Sequence, residues 1–319
     1  MKFRRLGKTG IDVSVIGLGG HEFHPGGEVR GFHDNYKLAV TAGHVFPGFG
    51  LQDREKLVKS ALDIGINIFD CTIDSEKEAM GRILKHLTVS RDILIQTRPE
   101  GMVYTYDPEN RKMADYALLK AEVQRILGLM KREIIDILNF AFMQSAMDAD
   151  PAYLDKIGDN IRRLKSEGLI RFASADTFSG EALFLRQFQS GHFETTFINY
   201  NITEIHMNDA VIPTAHSLCI GVLCREPFMK GGLFRMAEQA GFTDRARIAR
   251  IGLQWILSNA NVSSIMVGVS NIAQLEQNAG AADSPELTIE DCGVLDRIMA
   301  TQLYRDELSG KRERFRMGR

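Results

Sequence analysis

Two imidazoles and a carboxylate fall within four residues at His21, Glu22 and His24, in the segment HEFH. Such a set could hold a divalent cation, with Asp70, Cys71 or Asp74 completing the shell, or supply one acid–base histidine at His21 or His24. A lone HxxH in a loop is also satisfied by hydrogen bonds to its own backbone, and no metal site is expected. Asp70, Arg98 and Arg225 sit at or just past the ends of apolar runs. An Asp70–Arg98 ion pair is expected, as a buried bridge or as part of a substrate site. Arg98 with Arg225 would suit a carboxylate or phosphate, unless Asp70, Asp176 and Glu226 neutralise them. Tyr36, Tyr104 and Tyr106 are further hydroxyl donors in loops. Cys71 reads as a small buried group, Trp255 as core, and Phe140, Phe142, Met143 and Met147 as apolar filler.

The elements that must position these residues follow from periodicity. Eight short apolar runs, at 13–18, 67–69, 93–97, 134–140, 170–173, 196–200, 221–224 and 264–267, read as strands. Helical periodicity follows at 53–64, 113–130, 151–167, 180–189, 243–259 and 272–281. Eight alternations predict an α/β fold, a closed (β/α)8 TIM barrel with a long first βα loop and an extra C-terminal helix. Residues just past each strand then carry the chemistry. The first such loop, 19–50, holds eight glycines, five aromatics and four of the eight histidines, a composition that favours a packed lid. The basic end, 310–319, reads as a solvated tail.

The 319 residues fit one barrel domain, 1–319. With 25% charged residues and a net charge of −2, neither a nucleic-acid partner nor a disordered chain is expected. Four cysteines without a CxxC pair suit a reducing compartment, and the first 20 residues lack a signal-peptide core, so a cytoplasmic location with no membrane partner is expected. Composition leaves the oligomeric state open.

Four segments, FRRLGKTGIDVSVIGLGG, ALDIGINIFD, GLIRFASADTFSGEAL and LQWILSNANVSSIMVGVSNIAQLEQN, resemble the aldo-keto reductase family, and they occur in the family's order. The resemblance implies a nicotinamide cofactor across the barrel mouth and a catalytic Tyr, Lys, Asp and His. Only the Asp is matched, by Asp70. The Tyr slot falls on Ser75 or Ile73, the Lys slot on Arg98 and the His slot on Ala141, so the usual proton delivery is lost. On the cofactor side the resemblance implies Asp176 and Thr177 at the nicotinamide amide, Phe197 where the family has Gln, and Arg225 where an aromatic stacks on the ring. It also implies Gly268, Ser270, Asn271, Gln274 and Asn278 at the adenosine phosphate end, where a helix start favours an anion. No Lys or Arg in that last segment could pair with a 2′-phosphate, which leans the choice between NAD and NADP towards NAD.

Together these point to an NAD(P)-binding oxidoreductase with a degenerate tetrad, acting on a small oxygenated substrate, anionic if the arginines are free. Asp70, Arg98, His21 and His24 are the catalytic candidates. Two alternatives stand beside this: an inactive dinucleotide-binding or regulatory barrel, and a non-redox lyase or isomerase using the His-rich loop.

Overall fold

The computed structural model describes residues 1–87, 92–103, 107, 109–284 and 286–318. An N-terminal hairpin, β1 (Phe3–Arg5) and β2 (Asp12–Ser14), precedes eight parallel strands. These are β3 (Ile16–Gly19), β4 (Ile68–Cys71), β5 (Leu94–Thr97), β6 (Ile135–Ala141), β7 (Ile170–Asp176), β8 (Thr195–Asn199), β9 (Gly221–Arg225) and β10 (Val262–Val267). They close in the order β10-β3-β4-β5-β6-β7-β8-β9, the expected (β/α)8 barrel. The first predicted strand, 13–18, divides between β2 and β3 at Val15, because the hairpin takes Val13 for the barrel floor.

Two-residue alternation sorts each strand between two cores. Ile68, Leu94, Ile137, Phe197, Leu223 and Met266 point inwards and pack with Leu6 and Val13 from the hairpin, closing the bottom of the barrel. Phe69, Ile95, Leu138, Ala173, Ile198, Cys224 and Ile265 point outwards to the helices. Gly7 makes the floor possible: it has φ +51°, and a Cβ there would lie 2.2 Å from the Gly221 nitrogen. Alternation also turns Asp70, Gln96, Asn139, Ser174 and Arg225 inwards above that floor.

The predicted helix 113–130 is two helices, Arg111–Ala114 and Tyr116–Met130. The Asp115 carboxylate accepts from the Ala117 and Leu118 N–H groups, an N-cap that outcompetes continuous helix. Helix Asp74–His86 was not foreseen. Its first turn, DSEK, is charged yet buried, which hides the apolar stripe from a periodicity reading.

The first loop is packed, as its aromatics predict. Ala39, Val40 and Phe49 cluster with Ile73 and Ala79, and Phe32 and Phe46 pack against them. Helix Asp74–His86 pins the far half: Asp74 accepts from Gly43 N–H, Ser75 from Phe46 N–H, and Arg82 donates to Phe49 and Gly50 carbonyls. The basic C-terminal run is not a free tail. Residues 310–317 end helix Gln302–Met317, Lys311 Nζ donates to Thr203 at 2.9 Å, and the Phe315 ring lies 4.4 Å from that of His206. The partly buried Phe315 ring and the contacts of Lys311 with Glu204 and of Arg312 with Asp209 together dock them. No described helix is long and apolar enough to cross a membrane.

Candidate active site

On the β3–β4 side of the mouth, His21 Nδ1 and Glu76 Oε1 are 2.7 Å apart. The imidazole is 38% exposed and the carboxylate 1%. Glu76 is held by its position at the start of helix Asp74–His86, where Oε2 accepts from the N–H of Thr72 at 2.7 Å and of Ile73 at 3.4 Å. Burial alone would raise the Glu76 pKa, but His21, the Thr72 N–H and Arg54 together hold it below the ordinary carboxylate value. Burial alone would lower that of His21, yet Glu76 outweighs it, with Asp70 adding to the effect and Arg98 opposing it, so the imidazole stays protonated to higher pH than an ordinary histidine. Among the described residues nothing bonds His21 Nε2. The Phe32 ring meets the imidazole edge-on at 5.3 Å.

Asp70 lies one strand over. It does not pair with Arg98, contrary to expectation. Asp70 accepts from Gln96 Nε2 at 3.2 Å and Thr72 Oγ1 at 3.3 Å. Burial, reinforced by Glu76, raises its pKa. Arg98 instead grips Glu100, donating from Nε at 2.9 Å and Nη2 at 3.2 Å. Glu100 is fully buried, so its charge needs a cation held this close, and the residue two positions away on its own loop is nearest.

The remaining HEFH side chains build the lid. Glu22 accepts from Gly50 N–H at 2.7 Å and Arg30 Nη1 at 2.9 Å. His24 leaves the mouth and sits 2.6 Å from Asp34, with both side chains more than a third exposed. Among the described residues no three His, Cys, Asp or Glu are grouped to hold a metal ion. Ser75 and Ile73, at the Tyr slot, are committed to the lid. Tyr36 is half exposed, its ring 6.1 Å from that of Phe32; Tyr104 and Tyr106 lie outside the described residues. Cys71 is buried and its thiol pKa is pushed far up by burial, consistent with a packing role.

The β7–β9 side is built differently. Arg225 donates to both oxygens of Asp176, at 2.5 and 2.8 Å, and from Nε to Asn199 at 2.6 Å. Its guanidinium carbon is 4.8 Å from the ring centres of both Phe178 and Phe197. Asn139 Nδ2 adds a third donor to Asp176 at 3.1 Å. This narrows two expectations: three of the roughly four acceptor sites of Asp176 are taken, and Arg225 is neither a free cation nor a free stacking surface. Glu226 pairs with Lys230 at 3.2 Å and acts on Arg225 only through its charge. Thr177 keeps a hydroxyl proton, since its Oγ1 accepts from Ser179 N–H.

At the β10 end, Asn271 caps helix Ile272–Gly280, accepting from Gln274 N–H at 2.9 Å, and Gln274 Oε1 accepts from Ser270 N–H at 2.9 Å. Gly268, Ser270 and Asn271 are exposed, and Asn278 is buried on the inner face. A Cβ at Gly268 would sit 3.2 Å from the Phe23 ring of the lid, so glycine lets that ring approach. Among the described residues the Ile272 and Ala273 N–H groups meet no acceptor, which leaves the helix start able to take an anion.

The family model "Aldo/keto reductase family" matches residues 236–300. L-galactose dehydrogenase of Arabidopsis thaliana is 25% identical over 339 residues, covering 94% of each chain. The chain is thus similar to aldo/keto reductases, through the model match at its C-terminal part and through this relative along most of its length. A second relative, "Uncharacterized oxidoreductase YqkF" of Bacillus subtilis, is 21% identical over 96% of this chain and 99% of that one. The fold matches aldo-keto reductase AKR11C1 from Bacillus halodurans, with a TM-score of 0.70 for the holo form and 0.67 for the apo form. Both are 19% identical and cover 93% of this chain and 96% of theirs. The residue missed from sequence is Glu76; its signal was a Glu three positions after Ile73, where a helix start would need an acceptor.

Proposed function

We propose that this chain is an NAD(P)-dependent oxidoreductase of the aldo/keto reductase type in which His21, held by Glu76, exchanges the proton that the family's Tyr would exchange. The half-exposed imidazole on a buried carboxylate, beside Asp70, carries this reading. In the reducing direction hydride comes from the nicotinamide group when it is bound. The carbonyl π pair moves to oxygen, which takes the proton from imidazolium Nε2, giving the alcohol. In the oxidising direction neutral His21 removes the hydroxyl proton, the carbon's hydride would pass to the oxidised nicotinamide when bound, and Glu76 stabilises the imidazolium so formed. Asp70 and Arg98 act through their opposing charges on the imidazole, and His24 serves the lid.

The free helix start at Ile272 and Ala273, with Asn271 and Ser270, suits the phosphate end of a dinucleotide. Thr177 and the half-exposed Asn199 amide are the donors left for the ring end, and the absence of Lys and Arg from 267–278 favours NAD. Pairing of Arg98 with Glu100 and Arg225 with Asp176 removes the argument for an anionic substrate. A small hydroxylated carbonyl compound or alcohol fits better, in keeping with the sugar named for the Arabidopsis relative.

The test is turnover of small sugar aldehydes and their alcohols with NAD(H) and NADP(H), read by nicotinamide absorbance, for the native protein and His21→Gln. Turnover reduced about 10²-fold or more in the variant supports the role of His21. Undiminished turnover would overturn it. Absence of a thermal shift at millimolar cofactor would overturn the dinucleotide assignment itself.

A further inference from the structure

Four polar atoms without partners share the barrel interior. Gln96 Oε1, Asn139 Oδ1, Ser174 Oγ and Thr195 Oγ1 are buried, and no described residue bonds them. They come from β5, β6, β7 and β8, four consecutive strands. Their strand neighbours two residues away, Leu94, Ile137, Phe172 and Phe197, pack with the floor cluster, so alternation places all four side chains on the inner face. The register aligns three of them, since Asn139 pairs with Ser174 and Ser174 with Thr195, while Gln96 pairs with Ile137 and so lies diagonally from Asn139 on the same inner face. Asp70 pairs with Gln96 at the other end.

The two amides have divided roles. Gln96 turns its NH2 to Asp70 and Asn139 turns its NH2 to Asp176, which leaves both carbonyl oxygens as acceptors. Ser174 and Thr195 can each donate and accept. Neighbouring strands lie about 4.8 Å apart, a gap that one water spans with two hydrogen bonds of about 2.8 Å. Four dry orphans inside one barrel would cost a large share of a domain's net stability.

We infer that the barrel interior binds an ordered row of waters along Gln96, Asn139, Ser174 and Thr195, running from Asp70 to beneath the Asp176–Arg225 pair. The row adds solvation from below to the partly exposed Asp70 carboxyl, whose hydrogen-bond partners are Gln96 and Thr72 rather than a cation.

Magnetic relaxation dispersion of water on the native protein tests the row directly. Long-lived internal waters are expected, fewer in Ser174→Ala and Thr195→Val. Each variant should melt about 2 °C lower, and the double variant should lose less than the sum, because both hydroxyls serve the same waters. Unchanged relaxation, or melting temperatures equal to or above the native value, would overturn the inference, since removing a dry orphan stabilises. Stabilisation by potassium over sodium at constant ionic strength would also overturn it, assigning the four oxygens to a cation instead.

Discussion

The two sides of the barrel mouth use the same kinds of charge to opposite ends. On the β7–β9 side, Asp176 and Arg225 meet through two hydrogen bonds, Asn139 and Asn199 take remaining capacity, and Phe178 and Phe197 lie against the guanidinium. On the β3–β4 side, Glu76 meets His21 through one contact and leaves the second ring nitrogen without a partner among the described residues. A guanidinium cannot release a proton near neutral pH, so the first pair can only fasten; an imidazolium can, so the second is chemically able to pass a proton, as proposed for it. Two ion pairs on one rim thus differ in the chemistry open to them because of the base chosen, not because of the distance.

The sharpest break of this comparison is Asp176→Ala, which leaves the mostly buried Arg225 without its carboxylate. It should cost about 3–5 kcal/mol in urea unfolding, and a loss under about 1 kcal/mol would mean the fastener is incidental. Next comes Glu76→Gln, which keeps shape but removes the charge behind His21. The imidazole should titrate lower, visible in its NMR shift, and turnover should fall about 10-fold or more, with His21 rather than Arg225 responsible for the pH limb. An unmoved His21 titration would show that the contact carries no coupling.

Stability against pH sharpens the same contrast. His21 is raised from its ordinary value of about 6.5, so its share of the pair's stabilisation is complete below that pH and is lost as pH rises through the folded value. Glu76 is lowered from about 4.5, so its share is present above that pH and is lost as pH falls through the folded value. The difference between native protein and Glu76→Gln should therefore be widest between about pH 4.5 and 6.5 and shrink on either side. A difference independent of pH would sever it from the pair. Smallest is His24→Ala, which removes an exposed contact with Asp34 and should change stability by under about 1 kcal/mol and turnover hardly at all; a large loss of turnover would return His24 to the mouth.

Much of this architecture was legible beforehand. Short apolar runs followed by helical periodicity located all eight barrel strands, and the family resemblance pointed to Asp70, Arg98, Asp176, Arg225 and Asn271. Pairing was not legible. The expected Asp70–Arg98 bridge gave way to Arg98–Glu100, because a fully buried carboxylate two residues along the loop captured the guanidinium. Glu76 was hidden in a charged run, since a periodicity reading takes DSEK for solvent-facing surface when packing buries it. The basic run 310–317 read as solvated for the converse reason: Phe315 and Lys311 find partners only in a loop 100 residues earlier.

By itself the sequence determined the barrel, the order of its elements and which side chains arrive at the rim, because alternation and strand ends are local properties of the chain. Tertiary structure alone decided which acid meets which base. Partner choice depends on burial and on distances across strands, and a charge withdrawn from water takes the nearest counter-charge the fold supplies, wherever it lies in the chain.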